Sequence, residues 1–384
     1  MEDRIKKLCG IYLGWNETGH HIVVEKLGKG CSNEVLIATL QDTCTSTPLD
    51  KVLVRMYGSN ITRRLLQDVY INCHLGTLGR IPRIRGLFEG GRFEEFLPCT
   101  NISRDVFSGG YRDLMKLIVE VHKLEMPLPR EPCLERLLRD MLEGVQSEAE
   151  RWRGEVEWYI ASLRVIGRDL NITFCHNDFN MNNLLIPTSS SSPLFSSTTP
   201  SPLSSSTTPS PLFSSTTPSP LFSSTTPILI DYEYSGYNYS LYDLANYCTE
   251  MQYDWSHDQA PYFRFSSQWF PDNAKMLDMI CRYNTLSSGE GSVEEPCNSI
   301  KKENKEPCNS TFKQNDDSVA LTQLKFLALG SELLWTLWSL SCKGFSLEMG
   351  DYLRAKSESY LTKKAEYMEE IQQLLNSYSS LNSP

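Results

Sequence analysis

Two segments carry residue types at the spacing of a phosphoryl-transfer site. In "FCHNDFNMNNLLI", Asp178 follows His176 and Asn177, and Asn183 comes five residues later, just before an apolar run. In "ILIDYEYSGYNYSLYDLANY", Asp231 closes the apolar run "ILI". Moving a phosphoryl group to a hydroxyl calls for a carboxylate that holds and deprotonates that hydroxyl. It also calls for an amide oxygen and a second carboxylate that hold a metal ion on the phosphates. Asp178, Asn183 and Asp231 supply these in that order. Asp178 and Asp231 lie 53 positions apart, and setting aside a 36-residue repeat between them leaves 17, the length of a hairpin. Both carboxylates are therefore expected to face one site. Taken singly, Asp178 would cap a turn and Asp231 would end a strand; the ordered set favours the chemical reading.

The chain ahead of these segments reads as a complement that holds phosphates. "HIVVEKL", "EVLIATL" and "KVLVRMY" are strand-like runs rich in β-branched residues. The first two flank "LGKGCSNEV", with Gly28 and Gly30 in a turn between strands. A dinucleotide fingerprint would lead into a helix instead. A strand-turn-strand can cover phosphates with backbone N–H groups, and Ser32 and Asn33 could add side-chain donors. A plain hairpin is the bland alternative. Arg55 in "VLVRMYG" follows that turn, where a phosphate-pairing cation is needed; an isolated strand arginine would otherwise be a surface residue.

A helix is expected from Thr62 to Leu78, and two more strands around Gly90 and Gly91. Beyond Pro98 the pattern turns helical, with apolar residues at helical spacing over Tyr111–Leu124, Leu134–Val145, Val156–Ile166, Leu321–Ser341 and Asp351–Leu375. From Ser192 to Pro227 a nine-residue Ser/Thr/Pro unit repeats four times. It has too little apolar surface to order itself, and is far shorter than a solenoid repeat. Ser287–Ser318, which contains "EPCNS" twice, reads as a disordered connection.

The 384 residues suit two lobes, and 40% hydrophobic with 22% charged residues is ordinary globular usage. A net charge of −10 argues against nucleic acid as a partner. The start "MEDRIKKLCG" has no apolar core of signal-peptide length, and the apolar stretch Phe326–Leu340 holds Glu332 and is too short to span a bilayer. A cytoplasmic protein with 12 reduced cysteines and no C-x-x-C pair is expected.

"VLVRMYG", "GRFEEFLP", "MPLPREP", "FCHNDFNMNNLLI", "LIDYEYSGYNYSLYDLANY" and "LLWTLWSL" together resemble the choline/ethanolamine kinases, from about Glu25 to Leu361 outside the two low-complexity stretches. The resemblance implies an α+β, protein-kinase-like bilobal fold. Its mostly β nucleotide-binding lobe would span 1–97 and its mostly helical lobe 98–384, with a low-complexity insert at 188–227 and the connection at 287–318. It implies ATP and Mg²⁺ as cofactors, choline or ethanolamine as substrate, and a homodimer as a candidate assembly. Carried over residue by residue, Asp178 is the base, Asn183 and Asp231 are metal ligands, and Arg55 is the cation on the ATP phosphates. Gly28, Gly30, Ser32 and Asn33 form the phosphate loop, and the backbone from Glu95 to Leu97 is the adenine hinge. Asp68 stands where the family has a Glu pairing with the phosphate cation, one methylene shorter. Ala245 and Tyr247 also depart from the family's pattern.

Glu250, Trp255, Trp335, Trp338 and Tyr352 match the acidic and aromatic positions around the amino-alcohol head, with Asp243 either orienting the catalytic segment or capping a helix. An ammonium head is attracted to Trp and Tyr faces, and Trp335 and Trp338 fall on one helix face; spacing alone would make them core residues. The "EMQYDWSHDQAPYF" stretch favours choline over ethanolamine. An ethanolamine-specific kinase, an aminoglycoside-type phosphotransferase and a catalytically dead kinase fold are the alternatives.

Overall fold

A computed structural model describes residues 1–16, 18–29, 34–57, 63–145, 149–188, 227–257, 259–289, 310–342 and 347–381. The chain divides into two compact units that are not two consecutive stretches: residues 1–101 with 184–233, and residues 102–183 with 234–384. The Ser/Thr/Pro repeat, at 192–227, lies outside the described residues except for Pro227, as do residues 290–309 of the expected connection. The ends of that connection are helical, because Ser287 and Ser288 finish one helix and Ser310–Ser318 begin another.

The first unit opens with helix α1 (Glu2–Leu13), which the strand-based reading did not anticipate. Strands β1 (His20–Lys29), β2 (Glu34–Asp42) and β3 (Pro48–Met56) form an antiparallel meander. Helix α2 (Arg63–Thr77) leads into the hairpin β4 (Ile84–Phe88) and β5 (Gly91–Glu95), giving the sheet order β1-β2-β3-β5-β4. Gly90 turns that hairpin at φ +85°, and a Cβ on Gly91 would stand 2.5 Å from the Arg55 carbonyl oxygen. Strand period sets the faces. In β3, Val52, Val54 and Met56 are buried with Phe88, Phe93 and Ile5, which leaves Arg55 on the opposite face. Strand β6 (Cys99–Asn101) follows.

The second unit is mainly helical: α3 (Arg104–Gly109), α4 (Tyr111–His122), α5 (Leu134–Gly144), α6 (Ala149–Ile166), and strand β7 (Ile172–Cys175). The chain then returns to the first unit through β8 (Leu184–Pro187) and β9 (Ile228–Leu229), an antiparallel hairpin pairing Leu184 with Leu229 that carries the repeat in its loop. In the second unit again, β10 (Gly236–Tyr239) pairs with β7, and α7 (Tyr242–Glu250) is buried at every residue. The short pair β11 (Tyr253–Asp254) and β12 (Arg264–Phe265) precedes α8 (Asn273–Ser288), α9 (Ser310–Ser341) and α10 (Leu347–Leu381). Helices α9 and α10 pack on each other, and α9 also covers α7 and α5. No helix among the described residues is long and apolar enough to cross a membrane.

Candidate active site

In the second unit, the loop that leaves β7 carries Asp178. Its Oδ1 accepts a 2.8 Å hydrogen bond from the Asn180 amide, and its Oδ2 a 2.9 Å bond from the Asn183 amide. Two donors therefore fix the direction of the carboxylate. Asn183 spends its nitrogen on Asp178, so the atom it can offer a cation is its carbonyl oxygen.

The loop itself is built by Asp243 on α7. Its carboxylate accepts from the backbone N–H of His176 and of Asn177, both at 2.8 Å, and lies 3.0 Å from His122 Nε2. His122 Nδ1 lies 2.8 Å from the Tyr283 hydroxyl. Burial works to raise the Asp243 pKa, but His122 and the loop's N–H groups outweigh it and hold the carboxyl below its usual range. Asn177 adopts φ +66°, a costly conformation for a non-glycine residue. It is tied in place at both ends of its amide, donating to the Tyr234 carbonyl at 2.9 Å and accepting from Asn238 at 2.8 Å. Of the two roles left open for Asp243, the structure assigns orientation of the loop. It is fully buried and bonded to backbone, so it is a positioning residue rather than one that touches substrate.

The aromatic positions come together in the same unit. The Tyr352 ring lies 5.4 Å from Trp255 and 6.3 Å from Trp338, and Trp338 lies 5.8 Å from Trp335. Three residues not singled out in the sequence join them: Tyr253 stacks on Trp255 at 5.7 Å, with Phe263 and Phe265 beside it. Strands β11 and β12, which hold Tyr253 and Phe265, have two residues each and are too short to read from sequence. Tyr253 Oη and Trp335 Nε1 are buried without a hydrogen-bond partner. Burial first, then Glu250, Tyr253 and Asp178, push the Tyr352 pKa well up.

Glu250 is not a bare carboxylate under this cluster. Its Oε1 accepts a 2.8 Å bond from Lys356 Nζ, and its Oε2 a 3.4 Å bond from Trp255 Nε1. Lys356 also lies 3.4 Å from Glu332, which in turn takes Lys363 at 3.3 Å and hydrogen bonds from Gln252 and Ser359. Burial alone would lower the Lys356 pKa, yet Glu250 and Glu332 more than offset it and raise it. Sequence reasoning missed Lys356 because a lysine in a polar helix reads as surface; only its spacing of four from Tyr352 hinted at a shared face.

In the first unit, Arg55 and Arg92 are direct cross-strand partners. Like charges in that position repel, and Glu94 relieves the repulsion: its Oε1 takes Arg92 Nε at 2.6 Å and Arg55 Nε at 3.2 Å. Asp68 from α2 pairs with Arg92 at 2.5 Å and with the Asn72 amide at 2.6 Å. This corrects the expected Arg55–Asp68 pair. The shorter Asp side chain reaches Arg92, and Glu94 rather than Asp68 holds Arg55. Burial opposes the charge on Arg92, but Glu94 and Asp68 outweigh it and raise its pKa.

Asp231 lies two residues beyond the Leu229 that pairs with Leu184, in the left-handed region at φ +69°. Its neighbour Glu233 is pushed up to about 7, by burial first and then by Asp231 and Asp68. Glu95 ends β5 and holds Arg83, its Oε2 accepting the Arg83 N–H at 3.0 Å, and Leu97 is buried just beyond. Gly28 falls in β1, beside a shift in register between Lys26 and Lys29. Gly30, Ser32 and Asn33 lie outside the described residues.

The sequence profile of the choline/ethanolamine kinase family matches residues 24–363. A choline kinase of Caenorhabditis elegans is 27% identical over 311 residues, spanning 74% of this chain and 70% of that one. A choline/ethanolamine kinase of Mus musculus is 26% identical over 392 residues, spanning 94% and 86%. The crystal structure of a Cryptosporidium parvum choline kinase matches with a TM-score of 0.66 at 19% identity, over 98% of this chain and 99% of that one. A Plasmodium vivax ethanolamine kinase gives 0.59 at 14% identity, over 93% and 86%. At such identities the solved structures speak for the fold alone, and that fold is the protein-kinase-like one expected from the sequence.

Proposed function

The chain belongs to the choline/ethanolamine kinase family, and from that premise we propose that it transfers the γ-phosphoryl group of ATP to the hydroxyl of choline, and less efficiently of ethanolamine. The observation that carries this reading is the company of Asp178. Its carboxylate is clamped by two amides, on a loop fixed by Asp243, in the same compact unit as an aromatic cluster suited to an ammonium head.

In this reading Asp178 accepts the proton of the substrate hydroxyl as that oxygen attacks phosphorus, with in-line departure of ADP and no covalent enzyme intermediate. Arg55 holds and neutralises the phosphates, its guanidinium steadied by Glu94. The Asn183 carbonyl and the Asp231 carboxylate are hard oxygen donors of the kind Mg²⁺ takes, and the ion, when bound, supplies charge neutralisation at the phosphates. The rings of Trp255, Trp335, Trp338 and Tyr352 hold the head group.

The test is ATP-dependent product formation by purified protein across choline, ethanolamine and their partly methylated intermediates. Phosphocholine formation with the highest kcat/KM for choline is expected. Turnover of ethanolamine alone would move the assignment to the ethanolamine-specific reading. Nucleotide binding without turnover on any amino alcohol would favour a dead kinase fold.

A further inference from the structure

Lys356 places a primary ammonium of the protein's own where a substrate's would best sit. Its Nζ is fully buried, lies 4.4 Å from the centre of the Tyr253 ring and 5.6 Å from that of Tyr352, and is 2.8 Å from the Glu250 carboxylate. That combination of two aromatic faces and one close carboxylate is what recognises an R–NH₃⁺ group. The remaining Glu250 oxygen takes the Trp255 N–H, so neither oxygen lacks a partner. The counter-charges around it are settled as well. Glu250 and Glu332 face Lys356, Glu332 also faces Lys363, and the four charges cancel.

We propose that Lys356 is the specificity-determining residue of the amino-alcohol pocket: its ammonium fills the position suited to a primary amine and claims Glu250, leaving the exposed aromatic faces to a quaternary head. The inference rests on the amino-alcohol kinase reading and adds to it the cause of the substrate preference. A trimethylammonium group has no N–H donors and loses nothing when Glu250 is taken. A primary ammonium entering the same pocket gives up hydration from three donors and finds the best acceptor occupied. Trp338 and Trp255 are partly exposed, whereas Tyr253, the ring nearest Lys356, is buried, so the faces open to a ligand are those of the two tryptophans.

The test is the ratio of kcat/KM for ethanolamine to that for choline, measured in the full chain. Lys356→Met vacates the ammonium position and frees Glu250, and should raise that ratio by about tenfold, through KM rather than kcat. The double variant Lys356→Met/Glu250→Gln removes the freed carboxylate and should return the ratio towards the wild-type value. If Lys356→Met does not fold, Lys356→Gln tests the same point, because its amide can still donate to Glu250 while the charge is gone. A smaller rise in the ratio is then expected. A loss shared equally by both substrates, with the ratio unmoved, would show Lys356 to be structural and overturn the inference. So would a shift that survives in the double variant. Wild-type protein that phosphorylates neither amine would instead overturn the functional reading, and this inference with it.

Discussion

Each unit contains a buried chain of four alternating charges, and the two chains do opposite things. In the first, Asp68, Arg92, Glu94 and Arg55 follow one another across α2, β5 and β3. In the second, Glu250, Lys356, Glu332 and Lys363 follow one another across α7, α10 and α9. Both sum to zero. The arginine chain is anchored deep at Asp68 and ends on Arg55, whose side chain keeps 12% of its surface exposed. Planar guanidinium forks suit this arrangement, because each can bond two carboxylates in a fixed direction. The lysine chain is closed: Lys356 and Glu332 side chains are both wholly buried. Its ammonium groups pack against rings, Lys356 lying 4.4 Å from the centre of Tyr253 and Lys363 4.4 Å from that of Phe270. One chain ends on a partly exposed positive charge; the other keeps its central charges buried.

That contrast can be broken at several points. The largest expected effect is on stability in the first unit. Arg92→Met strands Asp68 and Glu94 without their shared cation, and should cost about 3–5 kcal/mol in urea unfolding. Asp68→Asn, which keeps an acceptor near Arg92, should cost clearly less. Equal costs would mean that the four residues do not act as a chain.

Asp243 offers a third buried charge, neutral to neither chain but bonded to backbone. Its pKa is lower folded than unfolded, so its contribution is present above the ordinary Asp range and is lost as pH falls through that range towards the folded value. Asp243→Asn should cost about 1.5–3 kcal/mol at neutral pH. It should also flatten the decline in stability below about pH 4. An unchanged acid limb would remove Asp243 from the account of acid sensitivity.

A smaller change is expected where the lysine chain leaves recognition to rings. Trp338→Ala should raise KM for choline by about tenfold and for ethanolamine by less. Equal losses would mean that the ring packs the pocket without distinguishing its ligands. Smallest of all is the effect of removing the repeat in the β8–β9 loop. Because closure entropy grows only slowly with loop length, deleting residues 192–227 should leave kcat/KM near the full-length value and change stability by no more than about 2 kcal/mol. A well-folded deletion lacking activity would give the repeat a role of its own.

The sequence made the backbone of this account legible wherever chemistry and local period coincided. Asp178 and Asn183 stand out because the turn between them lets an amide five residues on reach the carboxylate, and the meander from His20 to Met56 because its strands are β-branched and alternate. What it hid were partners brought together by long-range pairing. Arg92 and Arg55 are opposed only through strand register, and Glu250 meets Lys356 across 106 residues. Asp68 and Glu250 were therefore legible as acids but not as the acids of Arg92 and Lys356. Helix α1 escaped for another reason: its sequence is polar, its N-terminus has no side-chain cap, and its core contribution rests on Ile5 and Cys9.

The central claim is that Asp178 is the base of an amino-alcohol kinase, and the most direct measurement pairs turnover with binding in Asp178→Asn. The amide keeps the shape of the carboxylate but cannot accept the hydroxyl proton, and it turns one of the two acceptors facing Asn180 and Asn183 into a donor. Phosphocholine formation is expected to fall by about 10²–10⁴-fold, while the dissociation constants for nucleotide and choline stay near those of the wild type. A variant that retained wild-type kcat would contradict the account.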